Sequence, residues 1–141
     1  MKWKTIVDFF WKIAKSNSSA EEIAWGAAIG TFISVFPTFG LGMLLVIVLS
    51  RLLKFNLTIA LAASIISNPF TSPFFMLLNY KVGSLFFDSP IVFDVDNWKD
   101  NLKDTGLAIF IGSLIVSGSL AVIAYFFSKF MVLKFRNKKE L

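Results

Sequence analysis

The chain has 141 residues, a formal net charge of +5, a composition that is 56% hydrophobic and a mean hydropathy of +0.72. An ordinary soluble domain carries about 45–50% apolar residues, so these values exclude a small soluble fold and point to one membrane-embedded unit. The absence of cysteine and histidine removes disulfides, thiolate chemistry, the commonest metal ligand and the usual general base. An enzyme is not expected, nor a metal or other cofactor.

The positive charge gathers at the ends, with Lys2, Lys4, Lys12 and Lys15 at one and Lys129, Lys134, Arg136, Lys138 and Lys139 at the other. Nucleic acid would suit such ends, but the phenylalanine-rich runs between them make anionic lipid headgroups the expected partner. Residues 1–17 place Trp3, Ile6, Val7, Phe10, Ile13 and Ala14 at helical spacing opposite the lysines, which predicts an amphipathic interfacial helix with Lys2, Lys4, Lys12 and Lys15 on the membrane surface. Asp8, Lys12 and Lys15 interrupt the apolar centre a signal peptide needs, so no cleaved signal is expected. Ser18 or Ser19 can then cap a helix with Glu21 and Glu22 in its positive first turn.

Residues 18–133 read as a single membrane domain, all-α, followed by a basic cytoplasmic tail over 134–141. Ile23 to Ser50 is uncharged for 28 residues, more than the ~20 that cross a ~30 Å hydrocarbon core. Pro37 cannot donate a backbone hydrogen bond, and Gly40 and Gly42 loosen the next turn, which splits the run into halves too short to cross. The run is either a re-entrant hairpin or a kinked span. Arg51 to Lys54 form a basic link, and Phe55 to Tyr80 is a second uncharged run broken at Asn68-Pro69 and Ser72-Pro73. An acidic connection with Asp88, Asp94 and Asp96 precedes Thr105 to Ser128, the cleanest transmembrane helix. Lys and Arg in short flanks favour the cytoplasmic side. A first run that enters and returns, a second that crosses and a last helix that comes back puts every basic cluster, Arg51 included, inside.

The structural breaks are therefore Pro37, Pro69 and Pro73. Offset by 32 residues, the runs align Ala28 with Ala60, Ile33 with Ile65, Pro37 with Pro69 and Leu45 with Leu77. Paired Pro-broken segments build midplane sites in many transporters, because the half-helix N-termini aim partial positive charge at an anion. Thr38, Gly40, Asn68, Pro69, Thr71 and Ser72 are the candidate substrate-binding residues, with Thr31, Ser34 and Asn79 as further polar groups in the runs. None is ionisable, which argues against a proton relay. Gly26-Ala27-Ala28-Ile29-Gly30 is a small-xxx-small pattern that suits an internal seam or a dimer contact. Gly106, Gly112 and Gly118 recur every six residues, a spacing that does not hold one helical face and carries no reading.

The order Ala24-Trp25-Gly26-Ala27-Ala28-Ile29-Gly30-Thr31-Phe32-Ile33, then Pro37-Thr38-Phe39-Gly40, Asn56 and Ser67-Asn68-Pro69-Phe70-Thr71 resembles the bacterial membrane family catalogued as domain of unknown function 2062 (DUF2062). The resemblance spans roughly residues 20–130. It implies a small, multi-pass protein of the bacterial cytoplasmic (inner) membrane, in some members joined to glycosyltransferases, with no established activity. A looser likeness, carried by the paired Pro-broken hairpins, is to DedA-like membrane proteins thought to move lipids or lipid carriers.

The function expected is binding or transport of an anionic amphiphile or lipid carrier at a midplane site formed by the two breaks. The alternative is a membrane scaffold that recruits a partner enzyme such as a glycosyltransferase. So few helices enclose little volume, and a homodimer would supply missing walls. The cysteine-free background allows a direct check of topology in intact cells. Lys54→Cys should react only from the cytoplasmic side, Asp96→Cys only from outside and Thr38→Cys only with small permeant reagents; external labelling at Lys54→Cys would make the first run a plain kinked span.

Overall fold

The computed structural model describes residues 4, 5, 8, 12, 17–87 and 98–137. Among these the fold is all-α, with α1 Ala20–Val35, α2 Gly42–Leu52, α3 Leu57–Ser64, α4 Ser72–Ser84 and α5 Trp98–Asn137. Of the expected interfacial helix, Lys4 and Lys12 are helical and exposed, whereas Lys2, Trp3, Ile6, Val7, Phe10, Ile13, Ala14 and Lys15 lie outside the described residues. Asp88, Asp94, Asp96, Lys138 and Lys139 lie outside them too.

Local chemistry sets most helix ends. Ser19 accepts from the Glu22 N–H while the Glu22 carboxylate accepts from the Ser19 N–H, a complete capping box at the start of α1. That helix stops at Val35 because Phe36 precedes proline, and its backbone is extended at φ −68° and ψ 137°. Asn56 caps α3 by accepting from the Ile59 N–H at 2.9 Å. Pro73 sits in the first turn of α4, where a missing N–H costs nothing.

The last helix runs well beyond the apolar stretch that marked it in the sequence. Its 40 residues rise about 60 Å, roughly twice a ~30 Å hydrocarbon core. The apolar run delimits only what lipid can cover, and the charged, helix-favouring residues on both sides continue the same hydrogen-bond ladder. Residues Asn101–Asn137 are long and apolar enough to cross a membrane.

Helices α1 and α4 pack along α5 one after the other. Glu21 meets Lys129 and Phe36 meets Phe110, while Asn79 meets Gly112 and Gly83 meets Ala108, so both helices run antiparallel to α5. Against the other side of α1 lies α3, parallel to it, with Gly26 beside Asn56, Gly30 beside Ala60 and Ser34 beside Ser67. The Asn56 N–H donates to the Glu22 carbonyl at 2.9 Å. The chain that leaves Glu22 thus comes back to it, with α2 as the return leg. Val46 of α2 joins Ile33 and Ala60 in one buried cluster, and Ile23, Ala27, Ile59 and Val132 form another.

The Gly26/Gly30 pattern is consumed inside the molecule. A Cβ on Gly26 would stand 2.5 Å from the Asn56 carbonyl oxygen and one on Gly30 2.2 Å from that of Ala60. A dimer seam through these two glycines is therefore sterically closed. At the α4/α5 crossing, a Cβ on Gly83 or Gly112 would come within 1.7 Å of the Ala108 or Asn79 carbonyl oxygen. Gly112, on which spacing alone carried no reading, is thus a packing residue, since what matters is what faces it. Gly106 and Gly118 have nothing within 4 Å. The offset-32 similarity does not extend to packing, because α2 turns back onto α1 and α3 while α4 goes on to α5.

The charged end is tied by Lys129 on Glu21 at 2.7 Å, by the Tyr125 hydroxyl donating to the same carboxylate and by Arg136 donating to the Ser18 carbonyl at 2.6 Å. Lys129 and Tyr125 hold the Glu21 carboxyl below its ordinary pKa. Substituting the crossing glycines separates the two classes. Gly83→Ala and Gly112→Ala should each destabilise by about 1–3 kcal/mol or more through overpacking, whereas Gly106→Ala and Gly118→Ala should be neutral or stabilising by up to about 1 kcal/mol through helix propensity, read as thermal unfolding in detergent.

Candidate functional site

The two proline breaks meet. The segment after α1 turns back through Thr38-Phe39-Gly40-Leu41, where the Leu41 N–H donates to the Thr38 carbonyl at 3.0 Å. Phe39 and Gly40 sit at φ 50° and 88°, the positive pair of a type I′ turn. Gly40 supplies one of these at no steric cost, and Phe39 takes the other with its ring 90% exposed. The second break is held by Asn68, whose Oδ1 accepts from the Phe70 and Thr71 N–H groups at 2.9 and 3.1 Å.

Between the turns lies a cavity of about 480 Å³. Thr38, Gly40, Asn68, Pro69 and Ser72 line it, as does Pro37, with Ser34, Ser64 and Ser67 adding hydroxyls and Met43, Phe75 and Met76 apolar wall. Thr71 stands behind this lining; its hydroxyl donates to the Ile66 carbonyl at 2.9 Å and accepts from the Asn68 N–H at 2.9 Å. Pro73 starts α4 outside the lining, and Arg51 ends α2 at the charged end, exposed. Ser64 and Ser67 were not among the predicted binding residues. Their signal was spacing, since they stand one turn apart just before the Asn-Pro break.

Ser34 bridges the breaks by accepting from the Ser67 N–H at 2.7 Å, and Ser67 shares a hydrogen bond with Ser72 at 3.1 Å. Asn79 is 1% exposed and donates its amide to the Val35 carbonyl at 3.3 Å, so a side chain of α4 satisfies the C-terminal carbonyl that the break strands on α1. This reach depends on Gly112, which lets the Asn79 backbone come close to α5. Asn79 is thus a positioning residue rather than part of the lining.

Electrostatically the cavity has no ionisable side chain in its lining among the described residues. Its polarity comes from hydroxyls, one amide and two helix starts. Helices α2 and α4 begin at Gly42 and Ser72 without side-chain caps, whereas α1 and α3 are capped by Ser19 and Asn56. An uncapped start carries about half a positive charge. At α4 the Ser72 N–H donates to the Asn68 carbonyl at 2.8 Å and Pro73 has no N–H, so α4 contributes its dipole rather than a row of free donors. The arrangement suits an anion or a polar head and offers no acid–base group among its described lining.

The family model described as "Uncharacterized protein conserved in bacteria (DUF2062)" matches residues 4–140, and the chain belongs to that family. No curated protein and no solved structure matches it. Within the site, the Asn68 turn can be tested by itself. Asn68→Ala should cost about 0.5–2 kcal/mol, the value of a lost side-chain cap, and should accelerate hydrogen exchange at the Phe70 and Thr71 amides while leaving α1 unchanged.

Proposed function

We propose that this DUF2062 member is an integral membrane protein that binds, and passes across the membrane, an anionic amphiphile such as a phosphate-bearing lipid carrier at the cavity between its two proline breaks. In this reading both runs are Pro-broken helical hairpins in the bacterial cytoplasmic membrane. The first enters and returns, while α3 with α4, and then α5, cross. Both termini, Arg51 and Lys54 are cytoplasmic, and the N-terminal segment lies amphipathically on the surface.

The observation that carries the reading is the convergence of both breaks, each followed by a helix start without a side-chain cap, on one cavity with no carboxylate among its described lining. Helix interruptions inside a bilayer are tolerated only where protein or a wet cavity satisfies the backbone. Here Asn79, Ser34 and Asn68 do so. Exposed apolar side chains on most faces of α2 and α5 are what lipid would cover. With 16 residues in α1, the breaks stand about 24 Å from its charged start. With that charged start at the cytoplasmic surface, this reading has the site deep within a ~30 Å core, beyond its centre.

A scaffold is the second reading, favoured by α2. It buries only Val46 and leaves Leu44, Val48 and Leu52 outward, a face that a partner enzyme or a second copy would cover. It requires that removing charge at Lys2, Lys4, Lys12 and Lys15 abolish function while polar changes at the breaks act only through folding. Charge placed in the cavity distinguishes the two. In liposomes containing purified protein, Thr38→Asp and Ser72→Asp should weaken binding of an anionic lipid by about tenfold or more, whereas Thr38→Lys should retain it, since juxtaposed like charges cost several kcal/mol. Equal effects of Asp and Lys would sink the headgroup site.

A further inference from the structure

On the side of α1 away from α2 lies a second void, about 240 Å³, with a different character. Its floor is Ile23, Ala27 and Thr31 of α1, one wall is the Ile59, Ala62, Ala63 and Ile66 stripe around α3, and the other is α5 from Ala124 to Phe135. From this structure we infer that the groove holds one hydrocarbon chain of an anionic glycerophospholipid, with the phosphate head at Lys134 and Arg136.

Three observations lead there. The described lining offers little solvation, because a buried water needs two to four polar partners and the only side-chain hydroxyls among the described residues here are Thr31 and Ser128, the latter already donating to the Ala124 carbonyl at 2.7 Å. The groove follows α5 for about 16 Å, with alanines on all three helices where bulkier residues would close it. It also ends at Phe135, which Lys134 and Arg136 flank in sequence. Lys134 is exposed, with its ammonium 5.8 Å from the centre of the outward Phe130 ring, and Arg136 donates to the Ser18 carbonyl at 2.6 Å, so two cationic groups stand beside the groove's end and one of them is held in place. A guanidinium stays charged whatever it donates to, and cations beside an apolar slot select a lipid with a negative head.

The site is separate from the break cavity and shares with the preceding reading only the membrane placement of the charged end. Native mass spectrometry of the detergent-solubilised protein, with phosphatidylglycerol or phosphatidylcholine of identical chains added, tests it. The wild type should retain phosphatidylglycerol in preference. Ala63→Phe and Ala124→Phe, which fill the groove from opposite walls, should each lower its occupancy about tenfold. The Lys134→Gln/Arg136→Gln pair should lower phosphatidylglycerol about 30-fold at roughly 1 kcal/mol per charge, and Lys134→Gln alone, which leaves the Arg136 tie to Ser18 in place, about fivefold, both leaving phosphatidylcholine unchanged. Thr38→Asp should leave the groove lipid in place. Equal retention of both lipids, no retention, or insensitivity to these charge removals overturns the assignment. Loss of the lipid on Thr38→Asp instead places it in the break cavity, which would support the previous reading and end this one.

Discussion

Asn56 is the residue on which the arrangement turns. Its backbone N–H donates to the Glu22 carbonyl, its amide to the Ser18 hydroxyl, and its carbonyl oxygen caps α3. One side chain thus starts one helix and holds it beside the start of another, and the parallel packing of α1 and α3 follows. That packing then requires Gly26 and Gly30, because the two backbones approach too closely for a Cβ. With both helix starts pinned at the charged end, both helix ends, and hence both proline breaks, arrive at the same depth.

What the breaks do is a matter of satisfying backbone groups. Ending α1 at Val35 strands carbonyls, and Asn79 reaches across from α4 to take one. Asn68 does the equivalent for the second break within its own turn. The helix starts facing them are left without side-chain caps. The polarity that remains comes from hydroxyls, one amide and the partial positive charge of two helix starts beside the cavity, with no acid or base among its described lining. Recognition of a negative or strongly polar head is the chemistry this can support.

The two runs use a similar break for different ends. After the first, α2 folds back with a single buried residue, Val46. After the second, α4 continues along α5 with its backbone pressed against it at Gly83 and Gly112. The difference comes from what each helix meets. The lower part of α5 offers Ala108 and Gly112 to α4, whereas α2 meets a surface already occupied by α3.

Much of this was legible in the chain itself. The helical class, the Ser19 cap, the breaks at Pro37 and Asn68-Pro69, and the single long apolar helix all follow from local rules, because backbone donors, φ restriction and burial cost act within a few residues. The family resemblance was likewise carried by short motifs near these breaks. The length of α5 was not legible, since hydropathy reports what lipid tolerates and a helix continues as long as its own ladder does. Nor was the partner of each glycine. Gly26, Gly83, Gly106 and Gly112 are alike in sequence, and only the carbonyl opposite each makes it indispensable or idle. The meeting of Thr38, Gly40, Asn68, Pro69 and Ser72 around one cavity, with Thr71 behind it, was decided by tertiary structure alone. It depends on the parallel register of α1 and α3, a contact between segments some thirty residues apart that no local preference specifies.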